Sequence, residues 1–108
     1  MENKVKEFVK KLGISPELNG YKYIVAAILY IKQFDSPSDV SFTEMYEELG
    51  KKFNKTYPAM ERSIHHAIYG LFSTPDSVEN LKEVLKFPFT NTKIPNSKFL
   101  ALCADMID

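Results

Sequence analysis

Apolar residues along this chain recur at intervals of three and four, the spacing that places them on one face of an α-helix. The breaks between these periodic segments are rich in proline, glycine, asparagine and serine, which cap and end helices. No segment is a convincing β-strand. The pattern predicts an all-α fold of about six helices, expected at residues 2–12, 21–34, 41–52, 56–72, 73–86 and 96–107.

The most apolar segment runs from Tyr21 to about Phe34 and follows a break at Pro16 and Asn19-Gly20. Its alanines favour helix over strand, and its length falls short of the roughly 20 residues that span a bilayer. We expect it to form the central core helix. Because the N-terminus also lacks the apolar stretch of a signal peptide, the protein is expected to be soluble and cytoplasmic.

Capping residues mark the starts of several predicted helices. Ser41 and Glu44 form a capping box, in which the two side chains satisfy the first free backbone donors. Thr56 is suited to cap the following helix, with Pro58 tolerated in its first turn. Asn96 is suited to cap the last helix.

The composition suits one folded domain covering residues 1–108, with 44% apolar and 13% aromatic residues to build a core. Fourteen basic residues balance fourteen acidic ones. This neutrality argues against a protein that coats nucleic acid indiscriminately, because non-specific affinity comes from many phosphate contacts. A small basic patch on one face remains compatible with it, and Arg62 is the only arginine.

The residues that commonly build catalytic or metal sites are sparse. The single cysteine, Cys103, lies on an apolar helix face and is expected to be a buried core thiol. His65 and His66 are adjacent, so their side chains diverge by roughly 100° on a helix and do not readily share a metal. Neither zinc-like spacing nor a nucleophile motif stands out. We therefore expect no enzyme activity, no metal and no cofactor.

Residues from about 41 to 72 predict a helix-turn-helix, in which two helices meet through a short turn and the second enters the DNA major groove. Gly50 supplies a small residue where the second helix crosses the first. Asn54 tolerates the left-handed backbone angles that the turn needs. Met60 and Ile64 are suited to face back toward the first helix.

The opposite face of the second predicted helix carries side chains that can read bases. Arginine can bond guanine in a bidentate manner and glutamate can accept a hydrogen bond from cytosine, so Arg62 and Glu61 are candidate base readers. His65 lies on the same face and is included with them. An ordinary solvated helix face accounts for these residues equally well before any resemblance is considered.

Basic residues cluster around the predicted turn. Lys51, Lys52 and Lys55 are expected to contact DNA phosphates, and Thr56 at the start of the second helix is placed with them. These lysines outnumber the acidic Glu61, so this region is locally positive in a protein that is neutral as a whole. This positive charge favours a nucleic-acid partner over a partner without negative charge.

Three groups of residues resemble the C-terminal effector domain of the stage-zero sporulation response-regulator family. The first group, in the predicted recognition region, comprises Lys51-Lys52-Phe53-Asn54, Thr56, Glu61-Arg62, Ile64 and His66-Ala67-Ile68. The second, in the last helix, comprises Asn96-Ser97-Lys98-Phe99, Ala101 and Ala104-Asp105. The third comprises Gly20-Tyr21 and Tyr23. The likeness extends from about Val5 to Met106.

This resemblance implies an all-α effector domain with a helix-turn-helix, unrelated to winged-helix proteins, that regulates sporulation genes. The partners it implies are double-stranded promoter DNA, a second copy of the domain on tandem boxes, and RNA polymerase. Glu61 and Arg62 correspond to base readers, while Lys93 and Lys98 reach flanking phosphates. In the family, the effector domain follows a phosphorylatable receiver domain.

The chain also departs from the family pattern. The family usually has arginines where this chain has Ala59 and His65, and a basic residue at the position of Thr43, while Tyr57 and Pro58 replace small residues. Each lost base contact is worth ~1–3 kcal/mol. Three alternatives follow: a changed operator preference, a protein-interaction module with weakened DNA binding, or an antagonist of the full-length regulator.

Overall fold

The computed structural model describes residues 1–89 and 94–108, which form six α-helices and no strand, so the all-α prediction is confirmed. In chain order the helices are α1 (Glu2–Leu12), α2 (Asn19–Ile31), α3 (Phe42–Phe53), α4 (Tyr57–Gly70), α5 (Pro75–Leu85) and α6 (Asn96–Met106). A short 3₁₀ turn, Pro37–Asp39, lies in the segment expected to be a loop. None of the helices in the described ranges is long and apolar enough to cross a membrane.

Helix α2 is the centre of the fold, as its apolar sequence predicts. It packs against α1, α3, α4 and α6, and Ile24, Ala27 and Ile28 are fully buried. Burying one isoleucine side chain contributes roughly 1.5–3 kcal/mol. Cys103 in α6 is fully buried as well, which confirms that it is a core thiol.

The start of α2 differs from the prediction. Asn19 and Gly20, interpreted as a break, are the first two residues of the helix. The reason is a close approach between helices: a Cβ atom on Gly20 would lie 2.8 Å from the Cβ of Ala67 and even nearer the carbonyl oxygen of Ser63. The glycine is there because α4 leaves no room for a side chain, and not because the backbone turns.

The predicted caps from the Ser41 and Thr56 side chains are confirmed, and the cap predicted for Asn96 is wrong. The Ser41 hydroxyl accepts a hydrogen bond from the Glu44 amide, and the Thr56 hydroxyl accepts one from the Ala59 amide, both at 3.3 Å. In α6, by contrast, Asn96 is the first helical residue and its side chain caps nothing. That side chain is instead engaged by another helix.

Two long-range hydrogen bonds satisfy the ends of other helices. Lys32 donates from Nζ to the carbonyl oxygen of Ala104 at the end of α6, at 3.1 Å. Asn80 donates from Nδ2 to the carbonyl oxygen of Lys11 at the end of α1, also at 3.1 Å. The last carbonyl groups of a helix lack intrahelical partners, so both bonds satisfy acceptors that the helix leaves open.

Candidate nucleic-acid interface

A turn of the length found in helix-turn-helix motifs joins α3 to α4. Asn54 adopts the left-handed conformation predicted for it, with φ 56° and ψ 51°. The Lys55 amide then donates to the Gly50 carbonyl at 3.0 Å. A Cβ on Gly50 would lie 2.7 Å from the Lys55 carbonyl oxygen. Gly50 is therefore required to be small, as predicted, but the contact is with the turn and not with the crossing helix.

The three predicted base readers share the exposed side of α4. Glu61, Arg62 and His65 are all exposed and line one open groove of about 670 Å³ together with Tyr57 and Pro58. The opposite side of α4 is buried in the core. The helical period thus separates the packed face from the face that a partner could contact.

Arg62 is available for an external partner. Within residues 1–89 and 94–108, its guanidinium takes part in no ion pair or hydrogen bond. It borders both the groove and a second cleft of about 300 Å³ beside Gly20 at the start of α2. His65, in contrast to Arg62, has an internal neighbour, since the centre of its ring lies 5.9 Å from the centre of the Tyr69 ring.

The far wall of the groove is formed by α3 and by the start of α6, through Phe42, Tyr46, Pro95, Asn96 and Ser97. Here the Tyr57 ring packs against the buried ring of Tyr46, with centroids 4.5 Å apart. The bulky residue that replaces a small one in the family pattern thus fills the space between α3 and the start of α4.

The hydroxyl group of Tyr46 is buried at the same place. Its pKa is raised to about 12, chiefly by burial and to a lesser extent by the nearby Glu61 and Tyr57. The Asn96 side chain is near enough to oppose this rise, although the pair does not reach hydrogen-bond geometry. The neutral form of Tyr46 is therefore strongly favoured in the folded protein.

Asn96 connects α6 to α4. Its Nδ2 atom donates to the backbone carbonyl oxygen of Glu61 at 3.0 Å. The sequence contains no signal for this contact, since the two residues are 35 positions apart and asparagine before an apolar helix is usually a cap. The bond brings a residue of the last helix directly to the stretch that is predicted to read bases.

The predicted phosphate-binding residues Lys51, Lys52, Lys55 and Lys98 are exposed. Lys52 borders a separate cleft of about 170 Å³ with Glu2 and Lys22. The pKa of Glu2 is lowered, chiefly by its hydrogen bond and ion pair with Lys6 and to a lesser extent by Lys52. The groove beside α4 is lined by none of the predicted lysines within the described ranges.

The remaining flanking residues are placed as follows. Thr56 caps α4 through its hydroxyl oxygen, and Lys98 is exposed with its Nζ 5.2 Å from the centre of the Phe87 ring. Lys93 lies outside the described residues. In the part of the chain that the structure describes, no group of three histidine, cysteine, aspartate or glutamate side chains is arranged to hold a metal ion.

A comparison with known families agrees with this arrangement. The family model described as "Sporulation initiation factor Spo0A C terminal" matches residues 5–107. The match includes the α3–turn–α4 unit, the groove beside it and the start of α6. Members of this family are DNA-binding transcription factor domains of sporulation and not enzymes. The chain therefore belongs to the family of the C-terminal domain of the sporulation initiation factor Spo0A.

Proposed function

We propose that this domain recognises promoter DNA of sporulation genes by placing the N-terminal half of α4 in the major groove. The observation that carries the proposal is that Glu61, Arg62 and His65 lie together on the exposed side of α4. The N-terminal residues of the second helix are the ones that contact base edges in helix-turn-helix proteins. Family membership supplies the independent support.

Each of the three side chains has a chemical role in this proposal. Arg62, without an internal partner in the described ranges, donates two hydrogen bonds to O6 and N7 of a guanine. Glu61 accepts from the amino group of a cytosine. His65 follows Glu61 by one helical turn and contacts the next base step. Pairing arginine with guanine and glutamate with cytosine gives the helix a preference for a particular sequence.

The backbone contacts surround this reading face. Lys51 and Lys55, at the end of α3 and in the turn, are proposed to bind phosphates beside the recognition helix. Thr56 and the positive end of the α4 dipole add to this attraction. Lys52, Lys98 and Lys93 are assigned to flanking phosphates.

The family pattern supports two further partners. We propose that two copies of the domain occupy tandem promoter boxes and that the bound pair contacts RNA polymerase. The rival function is a protein-interaction module, which the exposure of Tyr69 on α4 would suit, since 53% of this residue is accessible. The two functions differ in their response to salt, because protein contacts of this kind release few counterions.

The test is fluorescence anisotropy with a labelled duplex that carries two tandem copies of the family's TGTCGAA-like box, compared with a scrambled duplex at two salt concentrations. We expect tighter binding to the tandem boxes and weaker binding at higher salt. Arg62→Ala should lower affinity for the boxes roughly tenfold or more, and much less for the scrambled duplex, because one bidentate contact is worth ~1–3 kcal/mol of discrimination.

The matched control is Lys11→Ala, which removes one positive charge from a different face, beside Asn80 and Glu83. This change should reduce the affinity for both duplexes slightly and equally. Equal losses for Arg62→Ala on the two duplexes would make Arg62 a phosphate contact and not a base reader. If neither duplex binds at low salt, DNA recognition is ruled out and protein partners become the function to pursue.

A further inference from the structure

Asn96 donates a hydrogen bond to a backbone carbonyl inside a helix, and not to one of the free carbonyl groups at a helix end. The long-range bonds from Lys32 and Asn80 go to carbonyl groups at helix C-termini, which otherwise lack partners. The Glu61 carbonyl lies inside α4, where the amide four residues later, that of His65, already satisfies it. The bond from Asn96 is additional, so its effect is to attach α6 to one particular turn of α4.

The oxygen of the Asn96 side-chain amide has no hydrogen-bond partner among the described residues. Because a backbone carbonyl can only accept, Nδ2 must point to Glu61, and Oδ1 must point away as an acceptor. Among the described residues, Asn96 Oδ1 and the Tyr46 hydroxyl are the buried side-chain atoms that lack a hydrogen-bond partner. Both residues line the same groove but are not hydrogen-bonded to each other, so within the described ranges the bond to Glu61 is the one hydrogen bond that the Asn96 side chain makes.

We infer that Asn96 is a positioning residue for DNA recognition, whose hydrogen bond to the Glu61 carbonyl attaches α6 to α4 and so holds the base-reading turn in place. We call this bond between Asn96 and Glu61 the Asn96 bridge. Its consequence for DNA rests on the proposed function. Groups that read bases must be held within about 0.5 Å by the residues behind them, and the bridge supplies such support at the backbone of Glu61.

The packing of α6 does not depend on this bridge. Phe99, Leu100 and Cys103 are fully buried and anchor the helix in the core. Loss of the Asn96 side chain should therefore leave α6 in position while it releases the turn around Glu61. A residue that only stabilised the fold would instead weaken all of α4 to the same extent.

The experiment compares Asn96→Asp and Asn96→Ala with the wild-type chain, and Ser97→Ala is the matched control in the same groove. Asn96→Asp keeps the shape but replaces the donor by an acceptor. The first measurement is amide hydrogen exchange of the free protein, residue by residue. After correction for global stability, we expect exchange to rise roughly tenfold at residues 61–65 in both Asn96 variants and to stay unchanged at residues 67–70.

The second measurement is the ratio of affinities for the tandem-box and scrambled duplexes. It should fall roughly three- to tenfold in the Asn96 variants and remain constant in Ser97→Ala. Tyr46→Phe removes a hydroxyl that is not hydrogen-bonded to Asn96, so it should leave both measurements unchanged and serves as a second control. If Asn96→Ala does not fold, Asn96→Asp provides the test.

Three results would overturn the bridge: uniform exchange along α4, no change in exchange, or an unchanged affinity ratio in a protein that prefers the boxes. If the wild-type chain shows no preference between the duplexes, the proposed function fails. The amide exchange rates of the free protein would then still test whether Asn96 attaches α6 to α4. The two hypotheses can thus be judged separately.

Discussion

Helix α4 is held on two sides by different kinds of contact. On the α2 side, Gly20 lies so close that a Cβ there would meet the Ser63 carbonyl and the Cβ of Ala67. On the α6 side, a single amide hydrogen bond of 3.0 Å joins Asn96 to Glu61. Close packing sets how near two helices lie, whereas a directed hydrogen bond constrains one turn. We therefore expect the α2 contact to govern stability and the α6 contact to govern how the proposed reading turn is presented.

The largest effect should follow from filling the α2 contact. Gly20→Ala places a methyl group against the Ser63 carbonyl, which is backbone and cannot move aside easily, so we expect a loss of about 3 kcal/mol. Urea unfolding measures this loss. Gly70→Ala is the control, because no atom lies within 4 Å of the added Cβ, and helix propensity should make it neutral or stabilising by up to about 1 kcal/mol.

If Gly20→Ala and Gly70→Ala changed the free energy of unfolding equally, α2 and α4 could move apart without a loss of stability. The comparison between the two sides of α4 also predicts that Gly20→Ala, under conditions where it is folded, keeps the preference for cognate DNA. A loss of preference without a loss of stability would assign to the α2 side the role that we give to Asn96.

A smaller effect should appear at high pH on the α6 side. Burial raises the pKa of Tyr46 from 10.0 to about 12, so the folded protein holds this proton more tightly than the unfolded chain. The resulting stability is present below about pH 10 and is lost as the pH rises through about 12. We expect the wild-type chain to lose about 2 kcal/mol more than Tyr46→Phe over this range, measured by urea unfolding.

The control for this pH dependence is Tyr57→Phe, which removes a more exposed hydroxyl from the same groove. It should keep the alkaline loss of the wild-type chain. The Cys103 thiol, whose pKa is also raised by burial, is common to all three proteins and cancels in the comparison. Parallel stability curves for the wild-type chain and Tyr46→Phe would mean that Tyr46 is not held in its neutral form by the fold.

The smallest effect should come from the turn that leads into α4. Asn54 is left-handed, a conformation that costs residues with an ordinary Cβ roughly 1–2 kcal/mol. Asn54→Ala should therefore lower the free energy of unfolding by about 1 kcal/mol, while Asn54→Gly should change it by only a few tenths. Similar losses in the two variants would indicate that the asparagine side chain matters and not the backbone angle.

Much of this architecture was predictable because its causes are local. The alternation of apolar and polar residues in α4 predicted which side is buried and left Glu61, Arg62 and His65 exposed together. The Ser41 and Thr56 caps were predictable for the same reason, as each bond joins residues three positions apart. Asn54 was identified from its backbone preference alone.

Contacts between distant parts of the chain were beyond such reasoning. Gly20 has the local pattern of a break, and only the position of α4 shows why it lies inside a helix. Lys52 follows Lys51 in the sequence, yet the fold directs it to the cleft with Glu2. The proximity of Lys52 to the N-terminal helix is therefore a feature that the local sequence pattern did not predict.

The sequence by itself determined the helices, their inward faces and the membership of this chain in the Spo0A C-terminal family, since these depend on residue types at short, regular spacing. Only the tertiary structure decided what supports the reading helix. The Asn96 side chain could have capped its own helix, and it reaches Glu61 because the packing of α6 in the core brings the two together. Such a contact joins residues that are close in space and far apart in the chain, so no local pattern encodes it.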